Sequence, residues 1–238
     1  QKQENWYIQT AKDAMAAGDM IYAGKYSKPD YELLVSEGCD LAIENRMITH
    51  SPEVVEMLQS FDIPVMIEYS SYEQHPLGKV EWVKFFGALT GKEAEAEEAF
   101  AEQTEILEKV ESGEKTGKTI AFFYVTSNGL IQVRQSTDYI PKLIELAGGR
   151  YIFEDLEDSG SGRSTLNMQV EDFYAGAKDA DILIYNSSID GGVTTLDELI
   201  GKCNILKDFK ALQEGQVYCT TNDMYQQSMA IGYLLQDM

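Results

Sequence analysis

Lys92 to Ser112 reads KEAEAEEAFAEQTEILEKVES, and a few residues on, Thr119 to Val125 reads TIAFFYV. The first stretch is one long acidic helix. Ala96, Ala99, Gln103, Ile106 and Val110 recur at three- and four-residue steps, which puts a narrow apolar stripe on one face. At about 1.5 Å per residue such a helix spans roughly 30 Å, the width of a small domain. The second stretch is a continuous apolar run rich in aromatic and β-branched residues, a strand buried on both faces. Ser112 to Lys118 is a polar break between them. A surface helix on a single domain is one reading of this pattern. The preferred one is a connector, because strand and helix alternation runs up to the helix and restarts beyond it. The expected architecture is α/β: two α/β lobes with mainly parallel sheets joined by one long rigid helix. Residues 1–91 form the first lobe, 92–113 the connecting helix and 114–238 the second lobe.

Upstream of the connector, Met20-Ile21-Tyr22-Ala23 is a strand candidate. Ser27 to Asp30 opens a helix, with Ser27 as N-cap and Pro29 in the first turn. Gly38 ends that helix. Cys39 to Ile43 is a strand, Ser51-Pro52-Glu53 opens a helix whose Val54, Val55 and Leu58 are apolar, and Ile63 to Ile67 is the next strand. This β-α-β-α-β order with short links marks a parallel sheet. Glu81 to Ala88 is helical and Gly91 breaks it; Trp82, beside Phe85 and Phe86, reads as core. Downstream, Ser136 to Ala147 and Val170 to Ala177 read as helices and Asp181 to Tyr185 as a buried strand. Leu206 to Leu212 is a short helix, Gln216 to Cys219 a strand and Tyr225 to Gln236 a final helix.

The chain has 238 residues, with 40 acidic against 19 basic side chains and a net charge of −21. Hydrophobic residues at 44 % supply enough material for packed cores. Clustered Lys and Arg, which nucleic-acid phosphates require, are absent, so no nucleic-acid partner is expected. The same charge disfavours an anionic membrane surface. Two histidines, His50 and His75, and three cysteines without C-x-x-C spacing make a structural zinc or three-histidine site improbable. Nitrogenase-type clusters, which need cysteine ligands, are disfavoured on the same count. Enzyme motifs fail in turn. Gly117-Lys118-Thr119 has Ser112 where a P-loop needs glycine, and it precedes a strand instead of following one. Gly160-Ser161-Gly162 lacks the G-x-G-x-x-G frame. No G-x-S-x-G or H-E-x-x-H occurs. No catalytic set, resident cofactor or metal centre is expected.

Ligands of open α/β sheets bind beyond the carboxyl ends of the strands. Arg46 and Met47 follow the Cys39–Ile43 strand, and Tyr72 and His75 follow the Ile63–Ile67 strand. Gln132, Arg134 and Tyr139 come after Thr119–Val125, Asn186, Ser187 and Ser188 after Asp181–Tyr185, and Asn222, Met224 and Tyr225 after Cys219. Two lobes facing each other would bring these loops into a cleft with aromatic walls and a few cations, a ligand trap instead of a reaction centre. Arg134 and Arg163 stand out because cations are scarce. In so acidic a chain such residues ordinarily pair with surface carboxylates; in a cleft their planar fork suits carboxylates or catecholates. The candidate ligand-binding set is therefore Arg46, Met47, Tyr72, His75, Arg134, Arg163, Ser187, Met224 and Tyr225.

Several segments carry a resemblance. Tyr22-Ala23-Gly24 followed by Pro29-Asp30-Tyr31-Glu32-Leu33-Leu34, then Cys39 to Ile43, resemble the opening of the helical-backbone ABC-transporter solute-binding proteins that serve ferric siderophores, haem and cobalamin. Leu58 to Val65 is similar to the family's next helix-strand step, with Asp62 where glycine is usual. Leu89 to Glu93 is similar to the approach to its long helix. Ile144 to Gly149 with Phe153, Ala180 to Ile184 (with Ala180 in place of proline) and Gly215 to Tyr218 continue the likeness in order over most of the chain. The family's first strand and opening loops have no counterpart, so a trimmed amino terminus or a divergent branch is expected.

The resemblance implies a class III periplasmic-binding-protein-like fold with little hinge closing. It implies an extracytoplasmic protein, a cell-surface lipoprotein or periplasmic, that works as a monomer, captures a small-molecule Fe(III) chelate and delivers it to an ABC permease. One acidic residue per lobe would dock on permease arginines: Glu32 by motif, and Glu171 as the better match beside Asp172. A cobalamin or haem carrier, bare metal transport, an enzyme of related two-lobe shape, and a sensor that has lost transport are the alternatives at this point.

Overall fold

The computed structural model describes residues 1–157, 163–190 and 192–238, and the chain divides into two compact units, residues 1–71 and 72–238. The Gly160-Ser161-Gly162 loop lies outside the described residues. The fold is mixed α/β, as expected, and the larger unit has a central, mainly parallel sheet.

In the first unit, Ala42–Asn45 and Val65–Glu68 pair in parallel, Ala42 opposite Val65 and Asn45 opposite Glu68. The helix Pro52–Ser60 connects them, with Pro52 at its first turn as expected. Its Val54 and Leu58 pack on Ile48 and Ile63 to make the core. Two local expectations give way here. Met20 to Ala23 forms no strand; the chain instead makes a small antiparallel hairpin, Gly24–Lys25 with Lys28–Pro29. The helix then begins at Tyr31, and its cap is Asp30, whose carboxylate accepts the Leu33 N–H at 3.1 Å. Asp30 displaces Ser27 because Lys28 and Pro29 are held extended by the hairpin.

The second unit is built on Thr119–Val125. Ile182–Tyr185 and then Val217–Cys219 lie parallel on one side of it. Arg150–Tyr151 runs parallel to its beginning, and Ile131–Arg134 runs antiparallel to its end, followed by antiparallel Thr165–Met168. Alternation sends the strand residues to opposite faces. Ala121, Phe123, Val133, Leu183 and Tyr185 meet Phe173, Leu199, Leu206 and Phe209 on one face. Ile120, Phe122 and Ile184 meet Leu107, Ile140, Leu143, Ile144, Ile231 and Leu235 on the other.

The long helix runs Glu93–Glu111, within one residue of the expected span at each end. It is joined to the helix Pro76–Thr90 through Gly91, whose φ of +66° suits glycine. The two helices come so close at Gly87 that a Cβ there would lie 2.5 Å from that of Ala96. Gln103 turns its side chain inward and accepts the Gly232 N–H at 2.8 Å, which ties the long helix to Ile231–Asp237. Its buried residues are Ala96, Gln103 and Leu107, the last in place of the expected Ile106. Trp82, expected in the core, is only half-buried and donates from Nε1 to Glu73 Oε1 at 3.1 Å, and its neighbours Phe85 and Phe86 are exposed; the buried face of this helix is the one with Val80 and Gly87. Among the described residues, no helix is long and apolar enough to cross a membrane.

Candidate functional site

Arg134 is the centre of a buried constellation in the second unit. The sequence places it in a loop, whereas it ends the strand Ile131–Arg134. The reason is the turn at Asn128-Gly129, which folds the chain straight back on Thr119–Val125, with Thr126 N–H and Leu130 C=O closing it at 2.9 Å. Arg134 thereby lies beside Phe122 and is 8 % exposed.

Its partners surround it. Nη1 is 3.5 Å from Asp138 Oδ2. Nη2 donates to the Tyr225 hydroxyl. The guanidinium carbon lies 5.8 Å from the Phe122 ring centre and 5.5 Å from that of Tyr225, within cation–π range. The Tyr151 hydroxyl fixes the backbone, accepting the Arg134 N–H at 3.0 Å and donating to its carbonyl at 2.8 Å. Burial works against the charge, but Asp138 and the tyrosines Tyr225, Tyr139 and Tyr151 outweigh it, and the guanidinium pKa is raised.

Asp138 caps the helix Tyr139–Leu146, its Oδ1 accepting the Ile140 N–H at 3.0 Å. Burial pushes its carboxyl pKa up, and Arg134, the Ile140 N–H and Lys79 offset only part of that rise. Lys79, on the helix Pro76–Thr90, sits 4.5 Å from the Tyr139 ring centre. Burial raises the Tyr139 and Tyr151 phenol pKa values, which keeps Tyr151 protonated as the donor to the Arg134 carbonyl.

The carboxyl ends of two parallel strands complete the group. Asn186, after Ile182–Tyr185, donates from Nδ2 to the Tyr225 hydroxyl at 2.8 Å, and Ser188 donates to Asn186 Oδ1. The Tyr225 oxygen thus accepts from two N–H donors, while 43 % of the residue stays exposed. The Ser187 N–H donates to Thr220 Oγ1 at 3.0 Å, beyond the neighbouring strand Val217–Cys219. The Ser187 hydroxyl, 2 % exposed, finds no hydrogen-bond partner among the described residues. Buried hydroxyls are ordinarily paired, which makes this one notable.

Of the expected residues, the structure joins Arg134 and Tyr225 directly, and sets Ser187 and Met224 next in the chain to Asn186 and Tyr225. Met224 is half-buried against the core of that sheet face. His75 is exposed and caps the helix Pro76–Thr90, its Nδ1 accepting the Leu77 N–H at 3.2 Å. Tyr72 is exposed in the short turn Ser70–Tyr72. Arg163 is exposed two residues before Thr165–Met168. Arg46 and Met47, in the first unit, are exposed on a turn of 3-10 helix, where Asn45 Oδ1 accepts the Met47 N–H at 2.8 Å. Glu32 and Glu171 are both exposed in the first turns of their helices. Sequence reasoning missed Asp138, Tyr151 and Lys79. Asp138 carried a signal, an aspartate directly before an apolar helical run; Tyr151 carried none. Among the described residues, no group of three or more His, Cys, Asp or Glu could hold a metal ion.

No family model matches the chain. It is 28 % identical over 235 residues to an uncharacterized lipoprotein of Methanocaldococcus jannaschii, covering 94 % of this chain and 53 % of that protein. A second uncharacterized lipoprotein of the same organism is 27 % identical over 222 residues, covering 90 % and 55 %. The chain thus spans about half the length of the curated relatives it matches. Among solved structures, the periplasmic haem-binding protein HutB of Vibrio cholerae superposes with a TM-score of 0.73 at 14 % identity, covering 93 % of this chain and 85 % of that one. An ABC transporter substrate-binding protein of Listeria monocytogenes gives 0.68 at 16 %, covering 94 % and 85 %. An ABC-type Fe3+-hydroxamate transport protein of Saccharomonospora viridis gives 0.65 at 16 %, covering 87 % and 69 %. The fold is therefore that of the class III substrate-binding proteins.

Proposed function

We propose that the chain is the solute-binding component of an ABC importer, which captures an iron chelate and hands it unchanged to a membrane permease. One observation carries the reading. Asn186 and Tyr225 follow the carboxyl ends of parallel strands, where such folds take ligands, and Arg134 reaches Tyr225 from the adjoining antiparallel strand, so that a partly exposed tyrosine is held by two buried donors. The buried Ser187 hydroxyl beside them has no hydrogen-bond partner among the described residues. Solved proteins of the same fold whose titles name haem or ferric hydroxamate support an iron chelate as the cargo. The Methanocaldococcus relatives, named as lipoproteins, support a place outside the cytoplasm, on the cell surface or in a periplasm. Exposed Glu32 and Glu171 are the proposed contacts to permease arginines. The protein acts as a monomer, and at −21 it has no use for nucleic acid.

A thermal-shift titration against ferric hydroxamates, ferric catecholates, ferric citrate, haem and cobalamin tests this. A ligand that binds only the folded state adds about 2.7 kcal/mol at a hundredfold excess over its dissociation constant. A saturable shift with one ferric chelate class is the expected result; no shift with any member of the panel overturns the carrier reading. A haem carrier is the second reading, supported by Tyr225, since a phenol is an established haem-iron ligand type. A Soret band on adding haem, lost in Tyr225→Phe, would promote it.

A further inference from the structure

We infer that Asp138 is a charge-selectivity residue: by pairing with Arg134 it biases the site at Tyr225 toward a chelate of little or no net negative charge and against a polyanionic one. This rests on the carrier reading above. The pair is buried on both sides, with 10 % of the Arg134 side chain and 4 % of the Asp138 side chain exposed, at 3.5 Å. In such surroundings the two charges are little screened by water, so each strongly offsets the other's field. A ligand reaching the site meets the half-exposed Tyr225 first, with the guanidinium behind the phenol and Asp138 on the guanidinium's other nitrogen. It therefore meets a dipole and not a bare cation. Lys79, 4.5 Å from the Tyr139 ring centre, is the other cation that acts on this carboxyl. A chain of −21 adds long-range repulsion against any polyanion. A tris-catecholate of Fe(III) carries three negative charges; a trihydroxamate of Fe(III) carries none.

The variant that tests this is Asp138→Asn. Asparagine caps helices as well as aspartate does, and its Oδ1 can keep the Ile140 N–H; Arg134 loses its buried counter-charge, so the variant's Tm is measured first and affinities are compared at a temperature where both proteins are folded. Affinities of the wild-type protein and the variant are measured at one ionic strength for a neutral ferric trihydroxamate and a ferric tris-catecholate. The wild type should bind the neutral chelate more tightly, and Asp138→Asn should move the affinity ratio toward the trianion by about tenfold or more, an effect that 1 M salt shrinks. A ratio that stays within about twofold, or a wild type that prefers the trianion, overturns the proposal. A second arm uses citrate without iron: its concentration-dependent rise in Tm should be larger for Asp138→Asn than for the wild type, and equal responses overturn the role of Asp138. If neither protein binds either chelate while citrate separates them, the carrier reading falls for these chelates and the charge role of Asp138 stands.

Discussion

The guanidinium of Arg134 donates to the hydroxyl of Tyr225, 91 residues further along the chain, while its other terminal nitrogen faces Asp138 only four residues away. One side chain thus joins an antiparallel strand, the start of a helix and the loop beyond the last strand. Its removal should be felt in stability as well as in binding. Arg134→Ala leaves Asp138 as an unpaired buried carboxylate and should cost about 3–5 kcal/mol in urea unfolding. Arg134→Ala with Asp138→Asn should recover a large part of that loss, because the stranded charge is gone. Strictly additive single losses would show that the two side chains are not coupled.

Asp181 gives the protein an acid-sensitive link between two strands of the sheet. Its Oδ1 takes Lys210 Nζ at 2.6 Å, and its Oδ2 accepts the Thr119 N–H at 2.8 Å and the Thr119 hydroxyl at 2.9 Å. The Lys210 and Thr119 donors hold its carboxyl well below the usual carboxylate range. A depressed folded-state pKa stabilises above the unfolded value and ceases to do so as pH falls through the folded one. Asp181→Asn should therefore cost about 1 kcal/mol at pH 7, a modest figure because the ion pair is partly solvated. That deficit should shrink as pH is lowered below about 4. A deficit constant from neutral to acid pH would mean that Asp181 contributes through shape alone.

The contrast between two neighbouring strands shows what could be read from residues alone. Thr119–Val125 was legible to the residue, because a seven-residue apolar run can only be buried, and Val170–Ala177 was legible from its polar first turn. Ile131–Arg134 was not, since Ile-Gln-Val-Arg is short, half polar and competes with the βα alternation around it. Asn128-Gly129 between two apolar runs was the overlooked hairpin signal. That one omission moved Arg134 from a strand to a loop. It also hid Asp138 and Tyr151, whose approach to Arg134 is set by tertiary packing. Arg134, Tyr225 and Ser187 were still legible as candidates, because cations are scarce and strand ends are where such folds bind. At the other extreme, Trp82 read as core from its neighbours Phe85 and Phe86, yet it is only half-buried and those two are exposed: hydrophobicity alone does not say which helix face finds a partner.

The long helix is fastened by a close contact at Gly232, where an added atom would displace the Gln103 side chain. A Cβ on Gly232 would lie 2.8 Å from Gln103 Oε1 and 3.1 Å from Ile106 Cγ2. Alanine is the better helix former by about 1 kcal/mol. Even so, Gly232→Ala should lower stability by about 1–2 kcal/mol in urea unfolding, because overpacking and the displaced Gln103 outweigh the gain in propensity. An unchanged or raised midpoint would show that the helices can move apart freely.

Reversal of two surface charges separates delivery from capture. Glu32→Lys and Glu171→Lys lie on exposed first turns, so each should leave chelate affinity within experimental error and lower stability by no more than about 1 kcal/mol through the helix dipole. Combined, they should abolish stimulation of the permease ATPase in proteoliposomes. Full stimulation by the double variant would remove these residues from the docking surface.

The central claim, that a ferric chelate is held at the Tyr225 hydroxyl, is tested most directly by calorimetric titration of the wild-type protein and Tyr225→Phe with the chelate that gives the largest thermal shift. The account predicts one saturable site in the wild type and an affinity about tenfold weaker in the variant, the loss of one charge-assisted hydrogen bond. Equal affinities for the two proteins, with both still folded, would contradict it.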